Sequence, residues 1–411
     1  MIRTDDKIID VTDDVKWIGV KDYDITTFDI VMTTEFGTTY NSYFINAEKK
    51  AIVEVAKAKF SETYFSKLRK LTDPAEISYI IVDHTEPDHV GSLGFLLKLA
   101  PEAIVVGSGN AIRYLADIVN FPFKSIVVKD GDTLDLGNKT LKFIAAPNLH
   151  WPDSIYTYLA EDKVLFTCDS FGAHFCSENM FSKFTDDYSG AFKYYFDVIL
   201  RPFSKFMLKA IEKIRPLQIE YICPGHGPMH REEINPAIET SKKYSEDYIH
   251  LTDKCRKRNI LICYVSAYGF TKKGAGIIES GIKEHDGIET DVIDIENIAP
   301  AVLESKIISS DAIIVGSPTI NQNTLLPVYT LFALINPIRD RGKLAGAFGS
   351  FGWSGEASKI ILENLKMLKL NVFEDNVPFR FSPESSEKKT GLKEYGKRFA
   401  AKFLEEAGTG K

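Results

Sequence analysis

His84-Thr85-Glu86-Pro87-Asp88-His89, directly after the apolar run Ile80-Ile81-Val82, puts four potential metal ligands in six residues. Further along come His150 in Asn148-Leu149-His150-Trp151-Pro152, Asp169 in Thr167-Cys168-Asp169-Ser170, and His226 in Pro224-Gly225-His226-Gly227. Each stands just beyond a β-branched or aromatic run that reads as a strand. Ligands at the ends of neighbouring strands can converge on one rim of a sheet, where loops shape a site on a rigid scaffold. Four imidazoles and three carboxylates are more than one four- or five-coordinate ion needs, so the set predicts two ions and a bridging carboxylate. Asp169, alone on its strand, is the expected bridge, whereas Glu86 and Asp88 share a loop and can each serve a different ion. The only thiol near the cluster is Cys168, which argues against a structural zinc or iron–sulfur site. The other histidines, His174, His230, His250 and His285, read as hydrogen-bonded loop residues. His174, five residues after Asp169, could also orient a ligand.

Composition bounds the rest. A chain of 411 residues with 44% hydrophobic content is ample for compact cores and too long for one ordinary domain, so two or three are expected. A formal charge of −7 gives no footprint for nucleic acid or an anionic membrane. The opening Met1-Ile2-Arg3-Thr4-Asp5-Asp6-Lys7 lacks the apolar core of a signal peptide, and no run of about 18 apolar residues could span a bilayer, which predicts a cytoplasmic protein. The five cysteines are odd in number and form no Cys-x-x-Cys, so neither a disulfide framework nor a fused rubredoxin-type iron site is expected. An electron donor of that kind would be a separate protein.

The chain changes character near residue 255. Before it, strands are predicted at Ser42–Ile45, Ala51–Val55, Ile80–Val82, Ala103–Val106, Leu141–Ile144, Ile155–Leu159, Lys163–Thr167 and Ile219–Ile222. Asp187–Arg215 reads as an amphipathic helix packed through Phe196, Ile199, Leu200, Phe203, Phe206 and Met207, and a second helix is expected across Asn235–Asp253. The basic run Lys254-Cys255-Arg256-Lys257-Arg258 reads as a solvated linker. From Asn259 a regular βα alternation begins, with strands at Ile260–Val265, Thr290–Ile295, Ala312–Gly316 and Leu344–Gly349. Helices are expected after Thr271, across Val328–Ile335 and Glu356–Leu368, and near Tyr395–Glu406. Such doubly buried strands belong to an open parallel sheet, whose ligands bind beyond the carboxyl ends of the strands.

Three loops at those ends form a candidate site for flavin mononucleotide (FMN). The first, Ser266-Ala267-Tyr268-Gly269-Phe270-Thr271, offers hydroxyls and free N–H groups at a helix start, which can hold a phosphate. The second, Gly316-Ser317-Pro318-Thr319-Ile320-Asn321-Gln322-Asn323, carries turn formers and amides suited to the polar edge of a ring. In the third, Gly349-Ser350-Phe351-Gly352-Trp353-Ser354-Gly355, glycines permit close backbone approach and Trp353 can cover a flat aromatic ligand.

The motif His84-x-Glu86-x-Asp88-His89 with His150, Asp169 and His226, followed by the βα half, resembles the flavodiiron proteins, or A-type flavoproteins, over nearly the whole chain. The resemblance implies an αββα metallo-β-lactamase-like sandwich over residues 1–254, a linker at 255–258, and a flavodoxin-like, doubly wound, five-stranded parallel sheet over 259–411. It implies two irons and one FMN per chain. His84, Glu86 and His150 would hold one iron, Asp88, His89 and His226 the other, and Asp169 would bridge them, with no catalytic residue beyond these ligands. Tyr268 departs from simple flavodoxins, where a small hydroxyl residue often stands. Glu86 stands where zinc hydrolases of the same superfamily usually have His, and the added negative charge favours a harder, more oxidised ion, hence iron. The function implied is reduction of dioxygen to water, of nitric oxide to nitrous oxide, or both. Electrons would come from rubredoxin or a reduced deazaflavin coenzyme, and the assembly would be a head-to-tail homodimer. The other reading is a metal-dependent hydrolase with an appended flavodoxin-like electron carrier.

Overall fold

The computed structural model describes residues 6–29, 32–254 and 258–408, which divide into two compact units between Tyr248 and Ile249.

In the first unit, strands sort their side chains by a period of two. The seven-stranded sheet runs Ile9–Asp10, Val15–Trp17, Tyr43–Ile45, Lys50–Val53, Ile77–Val82, Ile104–Gly107 and Lys124–Val127, and its last four strands are parallel. Ile80, Val82 and Val105 pack outward against Tyr64, Leu68, Leu96 and Leu115 of the covering helices. Their neighbours Ile81 and Val106 point the other way, against Phe143, Ile155 and Phe166 of a five-stranded sheet. That sheet runs Thr133–Asp135, Thr140–Ala145, Ile155–Leu159, Val164–Cys168 and Tyr221–Pro224. Its outer face, with Tyr156 and Leu165, buries against Phe192, Met207 and Ile211. Alternation on both sheets therefore produces three apolar layers and an αββα sandwich. Burying each Ile or Val of these strands contributes roughly 1.5–3 kcal/mol, so a charge at Ile81, inside the sandwich, would break it.

The single amphipathic helix expected at Asp187–Arg215 is instead broken. Helix Asp186–Tyr195 passes through a π turn at Phe196–Leu200 and a 3-10 turn at Arg201–Phe203 into helix Ser204–Ile214. Pro202 lies in the 3-10 turn, and a proline inside a helix lacks the N–H and crowds the preceding turn. Phe196, Ile199, Leu200 and Met207 still reach the core, while Phe203 and Phe206 are partly buried at its edge. The helix expected at Asn235–Asp253 spans Ile234–Lys254. Of the basic run after it, Cys255, Arg256 and Lys257 lie outside the described residues.

The second unit is a parallel sheet in the order Glu289–Asp294, Asn259–Tyr264, Ala312–Gly316, Leu344–Phe351, Asn371–Arg380. Leu261, Cys263, Ile313 and Val315 pack on one face with Leu303, Val328 and Ile361; Ile260, Ile262 and Ile314 pack on the other with Ile278, Tyr395 and Phe399. The strand Asn371–Arg380 has no counterpart among the sequence-predicted strands, because its Glu374, Asp375, Asn376 and Pro378 obscure the apolar pattern. It sits at the sheet edge, where proline is tolerated. Helices Phe270–Ile282 and Ser386–Gly408 cross backbone to backbone: a Cβ on Gly281 would lie 2.0 Å from the Lys393 carbonyl oxygen, and one on Gly396 2.2 Å from that of Ile278. The strand order reverses around Asn259–Tyr264, so its connections leave in opposite directions and open a crevice at the carboxyl ends.

Candidate metal centre and flavin rim

All seven predicted ligands meet at one end of the sandwich. His84 lies two residues past the end of strand Ile77–Val82. Pro87 then starts the short helix Pro87–Val90, whose fixed φ suits a first helical position, and this turn brings Asp88 and His89 into the cluster. Cys168 ends its strand in the left-handed region, at φ 51°, turning the chain so that Asp169 enters the centre. His226 follows strand Tyr221–Pro224 through Gly225, where a Cβ would stand 2.5 Å from His89 Cε1; only glycine fits there. His150 comes from the loop ahead of strand Ile155–Leu159.

Asp169 organises the geometry. Its Oδ2 lies 2.7 Å from His150 Nε2 and 3.3 Å from His84 Nε2, and Glu86 Oε2 is 2.9 Å from His150 Nε2 and 3.5 Å from His84 Nε2. Its other oxygen, Oδ1, lies 3.4 Å from His89 Nε2 and 3.7 Å from His226 Nε2, which are 3.5 and 3.2 Å from Asp88 Oδ2. The donors thus fall into two groups, His84, Glu86, His150 and Asp169 in one and Asp88, His89 and His226 in the other, each with its ligand atoms within 4.8 Å of one another. Several of these atoms are buried without a hydrogen-bond partner: His84 Nε2, both oxygens of Asp88, and Asp169 Oδ1. Orphaned polar atoms of this kind are costly, and a cation would satisfy them together. The donor set fits a pair of metal ions.

The charges are paired across the cluster. Burial works to raise the carboxyl pKa of Glu86, but His150 and His84 prevail and bring it down to about 2. Asp88 and Asp169 are likewise held below the usual carboxylate range, against the effect of burial, by the imidazoles around them. Burial disfavours charge on the imidazoles, yet Asp88 lifts His89 to about 10, and Asp169 and Glu86 lift His150 to about 9. Protons and metal cations therefore compete for the same nitrogens, so metal binding releases protons.

The remaining histidines separate. His174 is buried with its ring 5.1 Å from that of His226, 4.3 Å from Phe28 and 4.8 Å from Tyr195, and Thr38 Oγ1 is 2.9 Å from its Nδ1. Burial lowers its pKa to about 3, so the ring is neutral. His226 Nδ1 donates to the Thr39 carbonyl at 2.6 Å, which leaves Nε2 for the cluster. His230 is fixed between Ser182 Oγ at 2.8 Å and the Phe171 carbonyl at 2.7 Å. His250 lies on helix Ile234–Lys254 and not in a loop, because the apolar spacing of that helix runs on past it. Sequence reasoning missed Glu54, which sits at the end of strand Lys50–Val53 against the rear of His84 and His89. A lone carboxylate straight after Ala51-Ile52-Val53 repeats the strand-end pattern that marked the other ligands.

In the second unit, the three loops stand at the carboxyl ends of the adjacent strands Asn259–Tyr264, Ala312–Gly316 and Leu344–Phe351. Gly269, at φ 78°, caps helix Phe270–Ile282 and has open space on its Cβ side, and Ser266 Oγ accepts from Lys272 N–H at 3.2 Å. The loops are tied together: the Thr271 and Ser350 hydroxyls lie 2.9 Å apart, and Thr319 N–H donates to the Ser350 carbonyl at 2.8 Å. Asn321 and Gln322 have φ of 54° and 57°, forming a tight turn closed by paired backbone bonds of 3.1 Å between Ile320 and Asn323. Pro318 is buried at the root of this loop, Ala267 is exposed, and Phe351 is the last residue of its strand. Arg380 Nε donates to the Gly352 carbonyl at 2.8 Å and steadies the third loop, where Ser354 and Gly355 lead into helix Glu356–Met367. A helix start with an open glycine, beside two tight loops tied to it, fits a phosphate-bearing flat ligand.

Comparison with known proteins finds a match in each half of the chain. Residues 38–227 match the family described as ODP family beta lactamase, and residues 262–395 match Flavodoxin. The chain is 39% identical to the Flavo-diiron protein FprA2 of Clostridium acetobutylicum, over 95% of this chain and 98% of that one. It is 34% identical to the Type A flavoprotein fprA of Rhodobacter capsulatus, over 94% and 89%. Among solved structures, the rubredoxin oxygen:oxidoreductase of Desulfovibrio gigas has a TM-score of 0.66 at 28% identity, covering 97% of this chain and 99% of that one. The flavodiiron protein of Giardia intestinalis has a TM-score of 0.63 at 28% identity, covering 98% of each. A metallo-β-lactamase-like unit with a dinuclear donor set, followed by a flavodoxin-like unit, defines a two-site redox protein. The chain belongs to the flavodiiron proteins, oxidoreductases that carry FMN and a diiron centre.

Proposed function

We propose that this protein reduces dioxygen to water, and reacts with nitric oxide as a second substrate, with electrons delivered through the flavin to the dinuclear centre. The observation that carries the reading is Asp169, whose two oxygens face two separate ligand groups. On this reading His84, Glu86 and His150 hold one iron, Asp88, His89 and His226 the other, and Asp169 both. Two ferrous ions and one reduced flavin supply four electrons when bound, the demand of one dioxygen molecule. The chain's own part is to present seven fixed donors, to keep a neutral His174 against His226, and to bury every donor but the partly exposed His150.

The flavin contacts fall to the loop residues 266–271, 318–321, 323 and 350–355. Residues 1–254 form the diiron domain, 255–258 the linker and 259–411 the flavin domain, a division supported by the two matched segments. The family resemblance favours a head-to-tail homodimer with electrons passing between chains. The donor is an external carrier, rubredoxin or a reduced deazaflavin coenzyme; the first is supported by the name of the Desulfovibrio relative. Among the described residues no helix is long and apolar enough to cross a membrane, and cysteines without a pairing pattern suit the reducing cytoplasm. The test is to reduce the protein anaerobically and mix it rapidly with dioxygen and, separately, with nitric oxide, following flavin reoxidation. Water without peroxide is expected; stoichiometric hydrogen peroxide from metal-replete protein would show that the flavin alone reacts.

A further inference from the structure

Glu54 is fully enclosed and stands outside the seven-ligand set. Its Oε1 accepts from the backbone N–H of Asp83 at 2.5 Å and faces that of His84 at 3.3 Å, so one oxygen grips the start of the ligand stretch. Its Oε2 has no hydrogen-bond partner and lies 3.4 Å from His89 Nδ1 and 3.7 Å from His84 Nδ1. Those two ring nitrogens are themselves buried and unpartnered. The opposite nitrogens of the same rings, His84 Nε2 and His89 Nε2, face different oxygens of Asp169 and belong to different ligand groups. The backbone pays for this placement: Glu54 sits at φ 59°, a left-handed conformation unusual for a side chain of this size.

We propose that Glu54 is a positioning residue common to both metal sites, its Oε2 facing Nδ1 of His84 and of His89 so that the proton of each ring stays on that side and each ring presents Nε2 to a different iron. The proposal rests on the ligand assignment above and deepens it. A carboxylate behind a ligating imidazole fixes its tautomer and makes the metal-facing nitrogen a better donor. Here one carboxylate does so for two irons, so its negative charge acts on both sites at once. Glu54, His84 and His89 also have the donor atoms to hold a cation of their own. That would strip both rings of their last proton while their Nε2 atoms serve the diiron centre, whereas a shared carboxylate leaves each ring neutral.

The test compares holoprotein of the unaltered sequence with Glu54→Gln and Glu54→Asp. Iron affinity is read by chelator competition, and the reduction potentials of the two irons by titration followed with electron paramagnetic resonance. In Glu54→Gln both irons should bind about 10- to 100-fold more weakly, and both couples should move to higher potential as a negative charge is lost. Glu54→Asp keeps the charge at a greater distance and should fall between. Loss of folding stability with unmoved potentials, or weakening at one iron only, would overturn the proposal. If Glu54→Gln does not fold, proton spectra of the cobalt-substituted unaltered protein decide. Shifted exchangeable Nδ1–H signals with nuclear Overhauser contacts to Glu54 are expected from both His84 and His89. Three metals per chain without those signals would overturn it. A protein with no iron pair defeats the ligand assignment and this proposal with it, whereas an intact pair indifferent to Glu54→Gln defeats this proposal alone.

Discussion

At the rim of the first unit His84 and His89 are completely buried, whereas at the rim of the second Tyr268 and Trp353 leave 80% and 81% of their surface exposed. The contrast follows from what each ligand requires. A metal ion takes side-chain nitrogens and oxygens, and bringing seven of them out of water is costly unless each is oriented from behind, as Thr39 does for His226. A flavin phosphate takes backbone N–H groups at a helix start, which the sheet topology supplies without burying any charge. One rim is a closed charge cluster and the other an open cradle of turns.

The contrast breaks most sharply at the bridge. Asp169→Asn should leave at most one iron per chain and reduce dioxygen turnover by about 100-fold or more, because it weakens both ligand groups together. Counting iron and measuring oxygen uptake checks this, and a variant with two irons and normal turnover would sink the assignment. Next in size is an acid effect on the buried unit. Burial holds His230 at about 4, below its ordinary 6.5, so the folded protein binds fewer protons than the unfolded chain between those values. The associated stability is present above pH 6.5 and is lost as pH falls toward 4, about 3 kcal/mol for a shift of this size. Denaturant unfolding monitored from pH 7 to 4 should show the fall, and His230→Gln should reduce it, leaving the part contributed by His174, which burial holds at about 3.

On the open rim the effects should be smaller. Trp353→Ala should weaken FMN binding about 10-fold, the value of one aromatic stacking contact, without altering iron content. A fragment covering residues 259–411 should fold and retain FMN, since each unit has its own apolar core; flavin that follows residues 1–253 instead would reverse the assignment. The smallest change is expected from His174→Ala, which removes a ring packed on His226 but no ligand atom. It should keep two irons and change turnover only a few-fold, checked by the same iron count and uptake assay.

How far each rim was legible in the sequence follows from the same physics. The candidate metal ligands could be read residue by residue, since few reasons place His, Glu and Asp straight after apolar strands. The flavin loops could be read only by position, because Ser266, Thr319 or Gly352 would suit many ordinary turns. Alternation in Ile80-Ile81-Val82 and the βα rhythm after Asn259 gave the layers, whereas the edge strand Asn371–Arg380 stayed hidden behind its charges and Pro378.

By itself, then, the sequence determined the ligand types, the strands that carry them and the change of architecture near residue 255, because these depend on local periodicity and residue chemistry. Tertiary structure alone decided which oxygen of Asp169 faces which imidazole, and that Glu54, thirty residues from His84, closes on its far side. Those relations depend on how strands distant in the chain align in a sheet, and a pairing register leaves no mark in the order of the residues.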